Sequence, residues 1–97
     1  MPDVVLRPEA EADIELIADY TIARWGLEQA RTYTATLRAD IASLASFPER
    51  FPVHAQSGLG LQRMRSGHHL VFYLVSEVAT EIVRVLHERQ DPTPDLP

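Results

Sequence analysis

Apolar residues recur at three- and four-residue spacing through the first half of the chain and at two-residue spacing through the second. That change of period divides the sequence into a helical part and a sheet-forming part. Val4, Val5 and Leu6 precede Arg7-Pro8 and predict a short strand over residues 1–7, since Pro cannot donate to a ladder and suits the first turn of a helix. From Pro8 onward Ile14, Ile17, Ala18, Thr21 and Trp25 form one stripe, with Glu9, Glu11 and Asp13 beside the positive end of the helix dipole. Those acids read as an exposed face, not as a catalytic pair. Gly26 stands where a left-handed C-cap is needed, and Leu27, Ala30, Thr34, Leu37, Ile41 and Leu44 start a second helix at once. Pro48 disfavours helical geometry at Phe47, so residues 8–47 are expected to form a helical hairpin with a very short turn.

Residues 48–60 contain Pro48, Pro52, Gly58 and Gly60, lack any period, and read as a loop with room for one helical turn. Leu61–Arg65, His68–Val75 and Thr80–His87 then read as three strands, joined by turns at Ser66-Gly67 and at residues 76–79. They predict an antiparallel meander over residues 61–87. Residues 88–97, with Pro92, Pro94 and Pro97, read as an extended or disordered tail. The expected fold is α+β, a single domain over residues 1–97 in the order β-α-α-β-β-β, with the N-terminal helical hairpin packed on one face of a small antiparallel β-sheet. Alternation places Leu70, Phe72 and Leu74 on one side of the sheet and His69, Val71, Tyr73 and Val75 on the other, while Val83 and Val85 add apolar surface on the last strand. Both faces are apolar and the hairpin covers only one. An uncovered apolar strip is therefore expected, and such strips mark partner sites.

A chain of 97 residues supports one core and no deep cleft. It has no Cys, which excludes disulfides and thiolate metal sites and makes the cytoplasm the simplest location. No apolar run is long enough to span a bilayer, and Met1-Pro2-Asp3-Val4 does not open a secretory signal. The net charge of -5 opposes direct gripping of phosphate backbones. All nine bases are Arg, and the acids crowd the N-terminal helix, so the C-terminal half is the cationic side.

Arg63 and Arg65 lie two apart on one strand and project from the same face, and Arg84 interrupts an apolar strand. A guanidinium fork suits carboxylate or phosphate, although Glu77, Glu81 or a helix-1 acid is an equally available internal partner for Arg84. His68 and His69 fall on opposite faces and do not chelate one ion together; no metal site is expected. His87 ends the last strand beside Glu88 and Arg89, where an imidazole serves as acid, base or contact, or simply terminates the strand. Tyr33 and Tyr73 offer hydroxyls, but no nucleophile elbow, phosphate loop or dinucleotide fingerprint is present. From the residues alone this is a small interaction domain with an Arg-rich edge, with no catalytic residue and no cofactor.

The segments Leu6-Arg7-Pro8-Glu9-Ala10-Glu11-Ala12-Asp13-Ile14, Tyr20-Thr21-Ile22-Ala23-Arg24-Trp25-Gly26, Gln29-Ala30, Gly60 to Gly67, Leu70-Val71-Phe72-Tyr73 and Ile82 to Pro92 together resemble the ParE toxins of the RelE/ParE superfamily. The resemblance implies a non-catalytic protein that binds DNA gyrase, blocks replication and is neutralised by a ParD-like antitoxin, a ribbon-helix-helix dimer, in a heterotetramer. Contact with nucleic acid would run only through gyrase or the antitoxin. On this reading Arg63, Arg65, Arg84, His87 and Arg89 face the target, while Ile14, Tyr20, Trp25, Leu37, Val71, Tyr73, Val83 and Val85 face the antitoxin. Gln62, Leu74 and Gln90 depart from the family pattern, where Arg, Arg and Met are frequent. The rival readings are a RelE-like ribosome-dependent mRNA endonuclease using His87, Arg63, Arg65 and Arg84, and a non-toxic binding module.

Overall fold

In the computed structural model, residues 3–46 and 60–97 are described. Asp3–Leu6 form β1, after which Pro8 occupies the first position of α1 (Pro8–Trp25), where its missing N–H removes no helical bond. Glu9 and Glu11 lie in the first turn, against the dipole's positive end. At Gly26 α1 stops: its N–H donates to the Ile22 carbonyl at 2.9 Å, and its own carbonyl accepts from the Ala30 N–H of α2 (Leu27–Ser43) at 3.1 Å. One residue thus closes one helix and opens the next. The expected left-handed cap is corrected here, because Gly26 has φ 95° and ψ 167°, a region of extended ψ that is essentially open to glycine alone. Phe47 and the loop expected over residues 48–60, apart from Gly60, lie outside the described residues.

Gln62–Ser66 (β2), His69–Val75 (β3) and Ala79–His87 (β4) form the antiparallel meander, and β1 joins β4 in parallel from Asp3↔Ala79 to Leu6↔Ile82. The sheet is therefore mixed, in the order β1-β4-β3-β2. The hairpin supplies the crossover that a parallel neighbour requires. Ala10, Ile14 and Ile17 of α1 and Leu37 and Ile41 of α2, with Leu44 just beyond it, pack on Met64, Val71, Tyr73, Ile82 and Val85, and this is the main core. Arg38 bridges the two helices through a two-pronged pair with Glu11, at 3.1 and 3.2 Å.

Two expectations about the last strand are corrected by a β-bulge. Phe72 pairs with Arg84 but Tyr73 pairs with Ile82, so Val83 is an extra residue in β4. Val83 and Val85 consequently do not share a face: Val85 enters the helix-facing core beside Ile82, whereas Val83 does not. The opposite face is also not bare, since Phe72, Val83 and Leu86 are all buried outside that core cluster. Among the described residues, the large apolar side chains left exposed are concentrated on α1, at Leu16, Tyr20, Ile22 and Trp25. The tail differs too: Thr93–Asp95 form a 3₁₀ turn closed by the Asp95 and Leu96 N–H groups on the Pro92 carbonyl, and Gln90 Nε2 donates to Asp95 at 2.8 Å.

Thr80 is wholly buried and its hydroxyl has no hydrogen-bond partner among the described residues. An unmade bond in an apolar setting costs free energy that an isosteric methyl removes. Thr80→Val is expected to raise stability by about 1 kcal/mol. A urea titration that shows a midpoint at or below that of the parent chain contradicts this.

Candidate partner-binding groove

The stripe of α1 that faces the core runs through Ala10, Ile14, Ile17 and Thr21. Leu16 and Tyr20 lie off that stripe and Trp25 stands at its C-terminal end, expected there to face the core, and the three stay 67%, 66% and 66% exposed. Large apolar side chains left in water on one helix are the unusual feature of this surface. Beside them a cleft of about 400 Å³ separates α1 from the end of β4, with Leu16, Ile17 and Tyr20 on one wall and Val85, Leu86 and His87 on the other. It continues into a second hollow of about 750 Å³ bounded by Tyr20, Arg24, Trp25, Tyr33, His68, His69 and His87. Tyr20, His69 and His87 line both, so the two form one groove.

Asp13 sets the geometry of the first wall. β1 ends opposite Ile82, and among the described residues no strand lies beside the rest of β4 on that side. The Val85 N–H donates instead to Asp13 Oδ2 at 2.8 Å, and Arg84 grips the same carboxylate through Nε and Nη2, both at 2.8 Å. The bond to Asp13 raises the Arg84 pKa above its ordinary value, against a smaller effect of burial. Arg84 also donates through Nη1 to the Asp95 carbonyl at 3.3 Å, which ties the C-terminal turn to the groove rim. Asp13, expected on an exposed face, is 8% exposed and serves as an internal anchor.

The second hollow is organised by the β2–β3 turn. Gly67 has φ 58° at the first central position, as a two-residue hairpin of the primed kind requires, and a Cβ there would meet the Tyr33 hydroxyl at 2.6 Å. That hydroxyl accepts the His68 backbone N–H at 2.9 Å and shares a 2.6 Å hydrogen bond with His69 Nδ1. The His69 ring meets His87 edge to face at 5.3 Å, and His87 stacks with His68 at 6.5 Å. Burial first, and then the neighbouring His87 and His68 rings, push the His69 pKa down to about 4. Glu88 pairs with Arg65 and accepts from His68 Nδ1; the Arg65 bond first, then His68, hold its carboxyl at about 2. Among the described residues no group of three or more His, Asp or Glu side chains is arranged to hold a metal ion.

The depressed His69 pKa fixes a pH dependence. An unfolded imidazole takes up a proton near 6.5, whereas the folded one resists until about 4, so the unfolded state binds more protons between these values. The His69 contribution to stability is intact above about pH 6.5 and is lost as the pH falls toward 4. Glu88 contributes in a lower window, from 4.5 down to about 2. The urea midpoint is expected to fall between about pH 7.5 and pH 5, and His69→Gln is expected to flatten that slope. A midpoint in the parent chain that holds constant across this range contradicts the assignment.

The structure brings some of the expected site residues together and disperses others. Tyr20 and Trp25 line the groove, as does the exposed His87. Ile14, Leu37, Val71 and Tyr73 lie in the main core, Val83 is buried behind the bulge, and Val85 is exposed only to 2% at the groove wall. Their apolar surface is consumed by the fold itself. Arg63, Arg65 and Arg89 are exposed, and Arg65 is paired with Glu88. Arg84, expected to face a target or to pair with an internal acid such as one of helix 1, is bound to Asp13 of α1. Sequence reasoning missed Leu16, Arg24 and the Tyr33–His69 bond as groove features. An apolar residue at position 16, adjacent to but off the inner stripe, was the available signal.

The structure thus sets a helical hairpin over a mixed four-stranded sheet, with exposed apolar side chains of α1 beside an open groove. The fold superposes on a chain of the chromosomal ParDE TA system from P. aeruginosa with a TM-score of 0.80, over 90% of this chain and 96% of that one, at 16% identity. The family model described as ParE toxin of type II toxin-antitoxin system, parDE, matches residues 4–92. Toxin ParE1 of Caulobacter vibrioides is 41% identical over 86% of this chain and 85% of its own length. Toxin ParE of Escherichia coli is 40% identical over 94% and 89%, and Toxin ParE1 of Mycobacterium tuberculosis 36% identical over 90% of each. The chain belongs to the ParE toxin family of type II toxin-antitoxin systems.

Proposed function

We propose that this ParE toxin binds DNA gyrase, holds it on cleaved DNA and so stops replication, without itself catalysing a reaction, and that a ParD-like antitoxin neutralises it. The cytoplasm is the corresponding location, and a heterotetramer around an antitoxin dimer is the corresponding assembly. Family membership supports the activity. The observation that carries the partner reading is the exposed Leu16, Tyr20 and Trp25 side chains of α1, spread along a groove that continues past His69 and His87. A helix face of this kind suits an amphipathic segment laid into the groove.

The rival endonuclease reading needs its base, acid and cations to converge on one phosphate. Here Arg84 is bound to Asp13, Arg63 and Arg65 project from β2, and Tyr33 and His69 are bonded to each other. The pairing with Asp13 withdraws Arg84 from that set, which counts against the RNA-cleaving reading. Exposed Arg63 and Arg89, with Arg65 and His87, are the residues assigned to the gyrase-facing edge. Purified chain added to gyrase and supercoiled plasmid is expected to yield linear DNA on detergent and protease treatment. Added to translating ribosomes it is expected to leave mRNA intact; codon-register cuts there, with no linear DNA in the gyrase arm, overturn the proposal.

A further inference from the structure

Charge is divided between the two faces of the sheet. The acids Glu9, Glu11, Asp13, Glu15 and Asp19 all stand on α1, which packs against β4 and β1. Among the described residues β2 is the terminal strand at the other end of the order β1-β4-β3-β2. Met64 of β2 enters the helix-facing core, so Arg63 and Arg65, one residue to either side, project from the opposite face. Pairing sets them in line with Phe72 and Leu70 of β3. Both guanidinium groups are therefore remote from the acids of α1, at the far edge of the sheet and on its far face.

Arg63 is exposed and makes no ion pair among the described residues. Arg65 pairs with Glu88, yet its side chain stays 60% exposed. Glu88 is shared with His68, and its N–H donates to the His68 carbonyl at 2.8 Å, so this acid is fixed to the β2–β3 turn and steadies Arg65 from there. Alternate residues of an extended strand lie about 7 Å apart. That step is comparable to the separation of neighbouring phosphates along one strand of DNA. The planar fork of a guanidinium matches a phosphate through two parallel hydrogen bonds.

We propose that Arg63 and Arg65 bind neighbouring phosphates of the DNA that gyrase holds, so that the toxin grips the DNA itself and not the enzyme alone. The inference rests on the gyrase reading above and divides its edge: Arg63 and Arg65 reach the DNA, while His87 and Arg89 face the protein. The net charge of -5 opposes a phosphate backbone laid across the whole molecule, but the acids responsible crowd α1. Salt screens exposed charges beyond about 10 Å at 0.1 M, so a contact confined to the β2 edge is governed by the charges at that edge. An acidic patch on gyrase is the competing occupant, and the regular step of the two guanidinium groups along β2 favours a regular backbone over it. Such a contact also accounts for arrest. A ligand that binds the gyrase–DNA complex more tightly than free gyrase stabilises that complex by the same factor.

Fluorescence anisotropy of the labelled full chain, titrated with gyrase alone and with gyrase carrying a duplex long enough to wrap it, tests this. Two neutralised phosphates give a slope of about -1.8 in log affinity against log salt. Between about 50 and 200 mM salt, affinity for the gyrase–duplex complex is therefore expected to fall about tenfold further than affinity for gyrase alone. Arg63→Gln with Arg65→Gln is expected to abolish that difference and to leave binding to gyrase alone little changed. Arg31→Gln, which removes an exposed arginine of α2, is expected to behave as the parent chain. An identical salt response with and without duplex, or a duplex-dependent part that persists in the double variant, overturns the proposal. Equal losses of the double variant on gyrase with and without duplex assign the two side chains to protein and overturn it too. Any of these results beside continued accumulation of linear DNA in the cleavage assay leaves gyrase arrest standing. Absence of binding to gyrase in both forms overturns the gyrase reading together with this inference.

Discussion

Asp13→Ala is expected to lower the stability of the chain by about 3 kcal/mol and its Tm by about 15 °C. The carboxylate is almost fully buried and accepts three hydrogen bonds, two from Arg84 and one from the Val85 N–H. Removing it leaves a guanidinium that is only 22% exposed beside an unsatisfied backbone N–H on the open edge of β4. Each of those costs free energy separately. The C-terminal turn loosens as well, since Arg84 positions it through Asp95. Pairing the change with Arg84→Met removes the uncompensated charge, so the double variant is expected to lose less than the sum of the single variants. Thermal and urea unfolding of the four proteins measures this. A single variant within about 0.5 kcal/mol of the parent, the size of an ordinary surface change, contradicts the anchoring role.

The second large effect is expected at Tyr20 and Trp25, where truncation leaves the fold intact and weakens the antitoxin. Both side chains are two-thirds exposed and outside the core, so Tyr20→Ala with Trp25→Ala is expected to move the urea midpoint little. Aromatic anchors in a groove dominate binding, and each truncation is expected to weaken a ParD-like antitoxin by about 2 kcal/mol, a roughly thousandfold loss for the pair. Isothermal titration of the antitoxin into parent and variant chains reads this directly. An affinity changed by less than about tenfold places the antitoxin elsewhere.

Much of this fold is legible from the chain because each main element has a clean period. Ile14, Ile17 and Thr21 on α1, and Ala30, Leu37 and Ile41 on α2, are spaced as a core stripe requires and are buried. The β2–β3 and β3–β4 antiparallel pairs follow from turn residues between strand-length apolar runs. The parallel pairing of β1 with β4 was not legible, since Val4-Val5-Leu6 carries no information about its neighbour. The bulge was equally hidden: strict alternation puts Val83 and Val85 on one face, while the structure places Ile82 with Val85.

The groove is legible in part for the same reasons. Tyr20 and Trp25 stand out as large apolar residues near the end of an amphipathic helix. Asp13 does not stand out from Glu9 and Glu11, because only the open edge of β4 makes it special. His68, His69 and His87 are far apart in sequence or point apart by strand alternation. They meet because Ser66↔His69 closes the hairpin and His69↔His87 pairs the next two strands. Such convergence is a property of register, which a periodicity does not fix.

We propose that this chain arrests gyrase and that its α1 groove is the surface through which an antitoxin restrains it. Gyrase cleavage of supercoiled plasmid, measured with parent chain and with the Tyr20→Ala, Trp25→Ala double variant while a ParD-like antitoxin is titrated in, tests both halves at once. Linear DNA is expected to accumulate with either protein and to disappear at antitoxin equivalence for the parent alone. Absence of linear DNA with both proteins, or equal rescue of the two by antitoxin, contradicts the account.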